Sequence, residues 1–380
     1  MFALPEGVSL PSLVTWLIVL HLAKRLIDTF YSVPYLALGA EISRDHNERT
    51  HIAMLRAVFF NIGRAGAGAL LLLYFFRPTD AYPTGQLNPE AYPRFALVMS
   101  IVIAIGLMAS AWRTRSWIPR LSVADVHRTR SIRDSLGDLK EAFAFRSFRA
   151  VLFGSISRHI AWGMSDALGI FMATYFWQVK TEVLFLWGLG MFSGLFLGLP
   201  FWTKMAARFD KKPVAITGDI LYLIFFCVPY LLKILDFWPE NGSPLYLPLY
   251  IFTTGFVAHF GISASSPMLG SMLGDITDQD ELEHGKRREG IIFGAESFAW
   301  KALTGLGPLA AGLIIDAVGL SDKVAPEDVQ EGVVTSLGLA QGGIMVVFFA
   351  LSIFFLSRHD LPRSRHEAII AELESRKTAS

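Results

Sequence analysis

Cysteine is almost absent from the sequence, since only Cys227 occurs among the 380 residues. A single thiol excludes disulfide bonds within the chain and any metal cluster built from several cysteines. Charge is also scarce: 18% of the residues are Asp, Glu, Lys or Arg, whereas about 25% is typical of soluble domains. The net charge of +1 provides no basic surplus of the kind that indicates nucleic acid binding.

Motifs of known enzyme chemistry are missing as well. The sequence contains no H-E-x-x-H, no G-x-S-x-G and no glycine-rich phosphate loop, which are the patterns of zinc, serine and nucleotide sites. We therefore predict that the chain is not an enzyme and holds no metal or organic cofactor. Nothing in the composition indicates a nucleic acid partner or an obligate protein partner.

Hydrophobic runs dominate what is present, because 53% of the residues are apolar and the mean hydropathy is +0.44. A membrane-spanning helix needs about 20 apolar residues. Nine runs approach this length, at residues 11–38, 52–76, 95–112, 150–177, 183–203, 213–233, 248–273, 290–317 and 334–357. The sequence thus predicts an all-α membrane protein with about nine transmembrane helices, located in the plasma membrane of a bacterium.

Basic residues predict the topology, because Lys and Arg accumulate in cytoplasmic loops. One set of segments together holds 23 Lys or Arg: the loops 41–51, 113–149, 204–212 and 284–288 and the tail 358–380. The loops that alternate with them, 77–94, 178–182, 233–247 and 318–333, together hold 5. This difference predicts an outside amino terminus and a cytoplasmic carboxyl terminus. The domain plan is then an incomplete amino-terminal bundle (1–113), a cytoplasmic connector (114–148), a six-helix bundle (149–357) and a tail (358–380). The connector is expected to form an amphipathic helix on the membrane surface.

Two segments suggest an internal repeat. The first run is followed by SVPYLALGAEISRDHNERT and the seventh by SSPMLGSMLGDITDQDELEHGKRREG. Both contain a serine close to a proline, an acid seven or eight positions later, and a basic end. Two related six-helix halves are typical of one transporter architecture. The repeat links the first and seventh runs, so its period is six helices. Two runs follow the seventh, which makes the seventh run the fourth helix of its half and the first run the fourth helix of the other half. We therefore expect three helices to be absent at the amino end.

The same segments, together with Arg56, resemble the glycoside–pentoside–hexuronide:cation symporters of the major facilitator superfamily, the melibiose-carrier group. The resemblance extends over residues 1–357 and implies helices four to twelve of a twelve-helix fold. It further implies cation-coupled sugar symport by alternating access, with Na⁺ or H⁺ as the coupling cation. Ser32 stands where the family has a sugar-binding aspartate, Leu36 replaces a tryptophan, and Thr29 matches a cation-site threonine. Asp28 is our hypothesis for the missing carboxylate.

Charged residues inside the apolar runs form stripes at helical spacing. Each such charge costs about 2.5–3.5 kcal/mol at the bilayer centre, so these residues are expected to face a cavity or a partner. The first stripe is His21, Lys24, Asp28, Ser32 and Tyr35, the second is Arg56 and Arg64, and the third is Ser155, Arg158, Trp162, Asp166 and Gly169. We predict that they line a hydrated substrate and cation cavity. The alternative is structural ion pairing between helices.

Lys301 and Glu296 lie in a run of small residues that allow close helix approach. By resemblance, Lys301 matches a lysine near the sugar and cation sites, and we include both residues in the predicted cavity. The two are five positions apart and do not share a helix face, so Glu296 is expected to meet another helix. Because bases outnumber acids inside the apolar runs, the cargo is predicted to be anionic unless missing helices supply acids.

Charges flanking the repeated segments suggest a cytoplasmic gate that pairs and separates as the two halves rock. The predicted gate residues are Glu41, Asp45, Arg49, Asp275, Asp278, Arg287 and Arg288. The alternative is that these charges only solvate hairpins and hold the topology. Two other functions also remain open at this point: a truncated membrane protein that does not transport, and a symporter of lysolipids.

Overall fold

The computed structural model describes residues 9–41, 55, 59–60, 62–116, 132–285, 288–320 and 326–379. The chain forms two compact units, Met1–Thr129 and Arg130–Ser380. All regular secondary structure in the described residues of both units is helical.

The described residues of the amino-terminal unit form three helices. They are α1 (Leu10–Glu41), α2 (Ile62–Phe75, ending in a π turn at Leu71–Phe75) and α3 (Ala91–Thr114). A short 3-10 turn at Gly85–Leu87 lies between α2 and α3. Helices α1 and α3 are joined by a hydrogen bond that the Tyr31 hydroxyl donates to Ser110 Oγ over 3.0 Å. Phe76 and Tyr92 pack with ring centroids 4.8 Å apart and close the loop between α2 and α3.

Eight helices are formed by the part of the carboxy-terminal unit that the structure describes. They are α4 (Ile132–Ala142), α5 (Arg146–Phe171), α6 (Thr181–Phe209), α7 (Lys211–Ile234), α8 (Tyr246–His284), α9 (Glu289–Val318), α10 (Glu331–Ser357) and α11 (Arg363–Ala379). Helix α5 continues as a π turn at Met172–Phe176. Helix α8 includes a π segment at Ile251–Val257 and a turn at residues 263–264. A 3-10 turn at Pro326–Asp328 precedes α10.

Each of the nine predicted runs overlaps one described helix, namely α1 to α3 and α5 to α10. Six of these helices, α3 and α6 to α10, are long and apolar enough to cross a membrane. Helix α5 is long enough as well, but it carries several charges. It packs most extensively against α9 and α10, two of the apolar helices, and we treat it as a spanning helix on that basis.

Two apolar clusters hold the carboxy-terminal unit together. The larger is centred on residues of α5, α8 and α9, among them Phe148, Met272 and Ile292, which are fully buried. The tail helix α11 joins it through Ile369 and Leu373. The smaller contains Trp202 of α6, with residues of α7 and α8. The part of the predicted connector that the structure describes, α4, also joins the larger cluster through its last residues, so it belongs to this unit's core.

Candidate functional site

The predicted polar stripe on α5 runs from the buried centre of the unit to its surface. Ser155 and Arg158 are buried, Trp162 is half-buried and Asp166 is exposed. The positions are separated by three or four residues, so they lie above one another on one helix face. The stripe therefore has two parts: an enclosed charged end and an open end that carries an aromatic ring and a carboxylate.

At the enclosed end, Arg158 forms an ion pair with Asp219 of α7. Arg158 Nη1 lies 3.9 Å from Asp219 Oδ1, and the two side chains are 6% and 0% exposed. Asp219 accepts hydrogen bonds from Ser265 of α8 and from Ser352 of α10, the latter over 3.4 Å. Four helices thus meet at one carboxylate. Because both charges are removed from water, loss of either one would leave the other uncompensated in the interior.

Some hydrogen-bonding capacity at this centre is unused. Ser155 Oγ and Arg158 Nη1 are buried and have no hydrogen-bond partner within the part of the chain that the structure describes. A separation of 3.9 Å between Arg158 and Asp219 is longer than a hydrogen bond. The guanidinium is therefore held by charge and not locked by direct hydrogen bonds to that carboxylate, which leaves it able to respond to a second anion.

The second charged pair is His159 with Glu296, which joins α5 to α9. His159 Nε2 lies 2.9 Å from Glu296 Oε1, and the side chains are 13% and 25% exposed. Glu296 therefore meets another helix, as expected. Because His159 follows Arg158 directly, adjacent residues of α5 carry two ion-pairing groups that point to different helices.

Lys301 lies near the middle of α9 and is half-buried. It has no ion-pair partner among the described residues. The small residues that follow it do allow the close approach that the sequence predicts, because a Cβ added at Gly307 would stand 2.0 Å from the Gly163 carbonyl oxygen. Helices α5 and α9 are thus in backbone contact fewer than two turns beyond Lys301.

The predicted residues of α1 form their own group in the amino-terminal unit. Lys24, Asp28 and Thr29 are exposed side chains on this helix. Tyr35 is 37% exposed and stacks on Tyr31 with ring centroids 5.5 Å apart. An exposed acid and base on a helix of 32 residues are compatible with a polar face, and their role in a cavity remains a prediction.

The predicted gate acids of α8 are paired with bases of the same unit. Lys211 Nζ, at the start of α7, lies 2.6 Å from Asp275 Oδ2. His366 Nε2 of the tail helix lies 3.0 Å from Asp278 Oδ2 and 3.5 Å from Asp275 Oδ1. The acids therefore connect α8 to α7 and α11. Pairing between the two halves of the transporter stays a prediction.

Arg288, the predicted gate base at the start of α9, is fully buried. Its guanidinium donates to both carboxylate oxygens of Asp280, to Glu141 and, over 3.3 Å, to Asp138. These hydrogen bonds to carboxylates raise the pKa of Arg288 further above its usual range. Arg288 thus fastens the connector helix α4 to α8, which gives this residue a structural role.

Several predicted residues lie outside the described residues. These are Arg56, Asp45, Arg49 and Arg287, and the side chains of Ser32 and Glu41.

Two residues that sequence reasoning missed are central to the site. Asp219 lies in the run at 213–233 and His159 in the run at 150–177, and neither belongs to one of the predicted stripes. A signal for Asp219 did exist: Asp219, Tyr222 and Phe226 follow at spacings of three and four, and all three are buried. For His159 the signal is its position next to Arg158 inside an apolar run, where two adjacent basic groups require two partners.

Apolar helices that pack around paired charges are typical of helical membrane proteins with a functional site between their helices. The chain belongs to the family of MFS/sugar transport proteins, whose model matches residues 1–363. Its members are membrane transporters and not enzymes. The predicted all-α major facilitator fold, the family and the multi-pass plasma membrane localisation are thereby confirmed, whereas the number of about nine transmembrane helices and the orientation of the two termini stay predictions.

Three relatives show the range of similarity. The uncharacterized symporter YnaJ of Bacillus subtilis is 24% identical over 363 residues, which are 94% of this chain and 72% of the relative. The uncharacterized symporter YjmB of the same species is 22% identical over 299 residues, 77% of this chain and 58% of the relative. YagG of Escherichia coli, provisionally named a glycoside/cation symporter, is 21% identical over 365 residues, 95% of this chain and 73% of the relative.

Proposed function

We propose that the protein is a cation-coupled symporter that carries a sugar or glycoside with a negatively charged group, such as a hexuronide, by alternating access. Family membership supports the sugar class. The names of the relatives YnaJ and YagG support symport. The charge distribution of the carboxy-terminal unit supports the anionic character of the cargo.

The environment of Lys301 is the main support for an anionic substrate. Two ion pairs occur in the spanning helices of this unit, Arg158 with Asp219 and His159 with Glu296. Lys301, half-buried near the middle of α9, has no such partner among the described residues. An unpaired ammonium at membrane depth costs energy that a substrate carboxylate would recover on binding. Substrate sites of secondary transporters lie close to the bilayer midplane, and Lys301 lies near the middle of α9.

Trp162 supports the sugar part of the proposal. Its ring is half-buried on α5, one turn beyond Arg158 and one turn before the exposed Asp166. An indole ring offers a flat apolar face for the C–H groups of a pyranose, and carboxylates accept hydrogen bonds from sugar hydroxyls. We assign Trp162 to stacking and Asp166 to hydroxyl binding.

The proposal is tested by uptake into membrane vesicles from cells that produce the full chain. Radiolabelled neutral glycosides and hexuronides are compared with an inward Na⁺ gradient, an inward H⁺ gradient or no gradient. We expect accumulation of a hexuronide with one of the gradients. No accumulation of any sugar under any gradient would contradict the proposal.

Variants of Lys301 then test the charge argument. Lys301→Gln should lower hexuronide uptake at least about tenfold, because an ionic contact of about 1.4 kcal/mol or more is lost. Lys301→Arg should retain part of it. Lys180→Gln, which removes an exposed lysine, is the matched control and should leave uptake unchanged. Equal uptake by Lys301→Gln and the wild type would exclude an anionic contact at this residue.

A further inference from the structure

We infer that a basic surface at one end of the carboxy-terminal unit, where α6 and α10 end and α7 begins, binds the headgroup of an anionic phospholipid. We call this surface the basic rim, and its members are Lys204, Arg208, Lys212 and Arg358. The inference goes beyond the proposed function and does not depend on it, because it concerns the side of these helices that faces the membrane and not the cargo.

Three helix ends meet at the basic rim. Helix α6 ends at Phe209 and α7 begins at Lys211, so a single residue separates the two helices. Lys212 Nζ donates to the carbonyl oxygens of Ser357 and His359, over 3.4 Å and 2.9 Å. This contact joins the start of α7 to the end of α10. The rim residues of all three helices are therefore close together.

The basic rim carries positive charge that the surrounding side chains leave free. Lys204, Arg208 and Arg358 are exposed, and none of the three forms an ion pair within the described part of the chain. Lys211 differs in this respect, because it pairs with Asp275 over 2.6 Å. The rim bases thus remain available to an anion from outside the chain.

Two acids lie beside the rim, and neither removes this surplus. Asp210 accepts hydrogen bonds from two backbone N–H groups, one of them that of Arg363 over 3.0 Å. Asp360 accepts a hydrogen bond from a serine of α5. The segments 204–212 and 358–363 together contain six Lys or Arg and these two acids. The local charge is therefore positive, and an anion is attracted to the rim.

Aromatic rings place two of the guanidinium groups at the boundary between lipid and water. Arg358 Cζ lies 4.3 Å from the centroid of the Phe354 ring, and Arg208 Cζ lies 5.3 Å from that of Phe209. Both rings are exposed and belong to spanning helices, so we expect them to face lipid. A long basic side chain that covers such a ring keeps its charge towards the headgroups. The phosphodiester groups of a bilayer lie at this depth.

The surface next to the rim is apolar, which favours a lipid over a soluble anion. Ile220, Ile224 and Val228 are exposed on one face of α7, and Leu351 and Phe354 are exposed on α10. Helices α7 and α10 pack against each other, so these side chains extend from the rim into the bilayer. A phospholipid offers a phosphodiester to the bases and acyl chains to this surface. A free phosphate matches the bases alone.

The predicted topology agrees with an anionic lipid. The basic rim lies at the end of the unit that the distribution of Lys and Arg predicts to be cytoplasmic, and anionic lipids give the cytoplasmic leaflet its negative surface potential. A zwitterionic lipid such as phosphatidylcholine carries an ammonium group that offsets its phosphate. Phosphatidylglycerol has no such group, so we expect the rim to select it.

The test is native mass spectrometry of the full chain, released from detergent micelles that contain added phosphatidylglycerol or phosphatidylcholine. The wild type should retain phosphatidylglycerol at a lower lipid concentration than phosphatidylcholine. Loss of one base near an anionic headgroup weakens binding about fivefold. The double variant Arg208→Gln with Arg358→Gln should therefore bind phosphatidylglycerol about 25-fold more weakly and phosphatidylcholine as before. Lys212 is left unchanged, because it joins α7 to α10.

Two controls accompany this variant. Lys140→Gln removes an exposed base of α4 outside the rim and should bind phosphatidylglycerol like the wild type. Inorganic phosphate, added at the concentration of the lipid, should not displace it. Displacement by phosphate would overturn the lipid in favour of a soluble anion. Equal retention of phosphatidylglycerol by the wild type and the double variant, or equal weakening in Lys140→Gln, would overturn the basic rim as the binding site.

Thermal unfolding gives a second readout that does not require the lipid to survive in the gas phase. A ligand that binds only the folded state raises Tm. Phosphatidylglycerol should therefore raise the Tm of the wild type more than phosphatidylcholine does, and this difference should be lost in the double variant. The same difference in both proteins would contradict the inference.

Discussion

Removal of the Asp219 charge should destabilise the carboxy-terminal unit strongly. Asp219→Asn leaves Arg158, whose side chain is 6% exposed, as an uncompensated charge in the interior. Breaking a buried ion pair from one side costs about 3–5 kcal/mol. For a unit of this size each kcal/mol lowers Tm by about 2–4 °C. We therefore expect Tm to fall by about 6–20 °C.

The single cysteine allows the Tm of these variants to be measured by thiol labelling. Cys227 lies two turns beyond Asp219 on α7 and is partly buried, so a fluorogenic thiol reagent reports the unfolding of this helix in detergent. The double variant Arg158→Gln with Asp219→Asn, which leaves no charge, should be more stable than Asp219→Asn alone. A wild-type Tm for Asp219→Asn, or a double variant less stable than the single one, would refute the ion pair as the tie among these helices.

Three further predictions concern other contacts. Gly307→Leu should lower the free energy of unfolding by about 1–3 kcal/mol or more through overpacking against α5, whereas Gly312→Leu, with no atoms near its Cβ, should not; equal Tm values would contradict the close crossing. Burial lowers the pKa of His359 to about 4 from its usual 6.5, so the folded state favours the neutral imidazole. Stability should therefore fall as the pH drops from 6.5 towards 4. Thermal unfolding at several pH values should show a weaker dependence in His359→Gln, and an unchanged profile would contradict this prediction. Arg288→Lys should loosen α4, because one ammonium replaces a guanidinium that binds three acids, and limited proteolysis before α4 should accelerate; cleavage at the wild-type rate would exclude that role.

Hydrophobic length and helical spacing predicted nine of the described helices and which of their residues are polar, whereas the tail helix α11 contains no apolar run and was not predicted. Each predicted run overlaps a described helix, and the stripe through Arg158, Trp162 and Asp166 occupies one face of α5. The small residues after Lys301 predicted a close crossing, and Gly307 is found against the backbone of Gly163. These features depend on neighbours within one or two helical turns, so the local sequence is enough to predict them.

The partners of the charges could not be predicted in the same way. Asp275 pairs with Lys211 and His366, which lie far away in the sequence on other helices. For Arg158 the spacing left open a cavity or an ion pair, and the structure places it in a pair with Asp219. No local period connects such residues, because their contact is created by helix packing. The polar residues were therefore predictable, whereas their pairing required the tertiary structure.

The charges of α5 have a consequence for biogenesis. Arg158 and its neighbour His159 enter the translocon before their partners exist, since Asp219 and Glu296 are synthesised later. With Arg at its centre, α5 is a poor stop-transfer sequence by itself, because such a residue opposes partitioning into lipid by about 2.5–3.5 kcal/mol. Stable integration of α5 therefore waits for α7 and α9, and the ribosome completes most of this unit before its first spanning helix is secured.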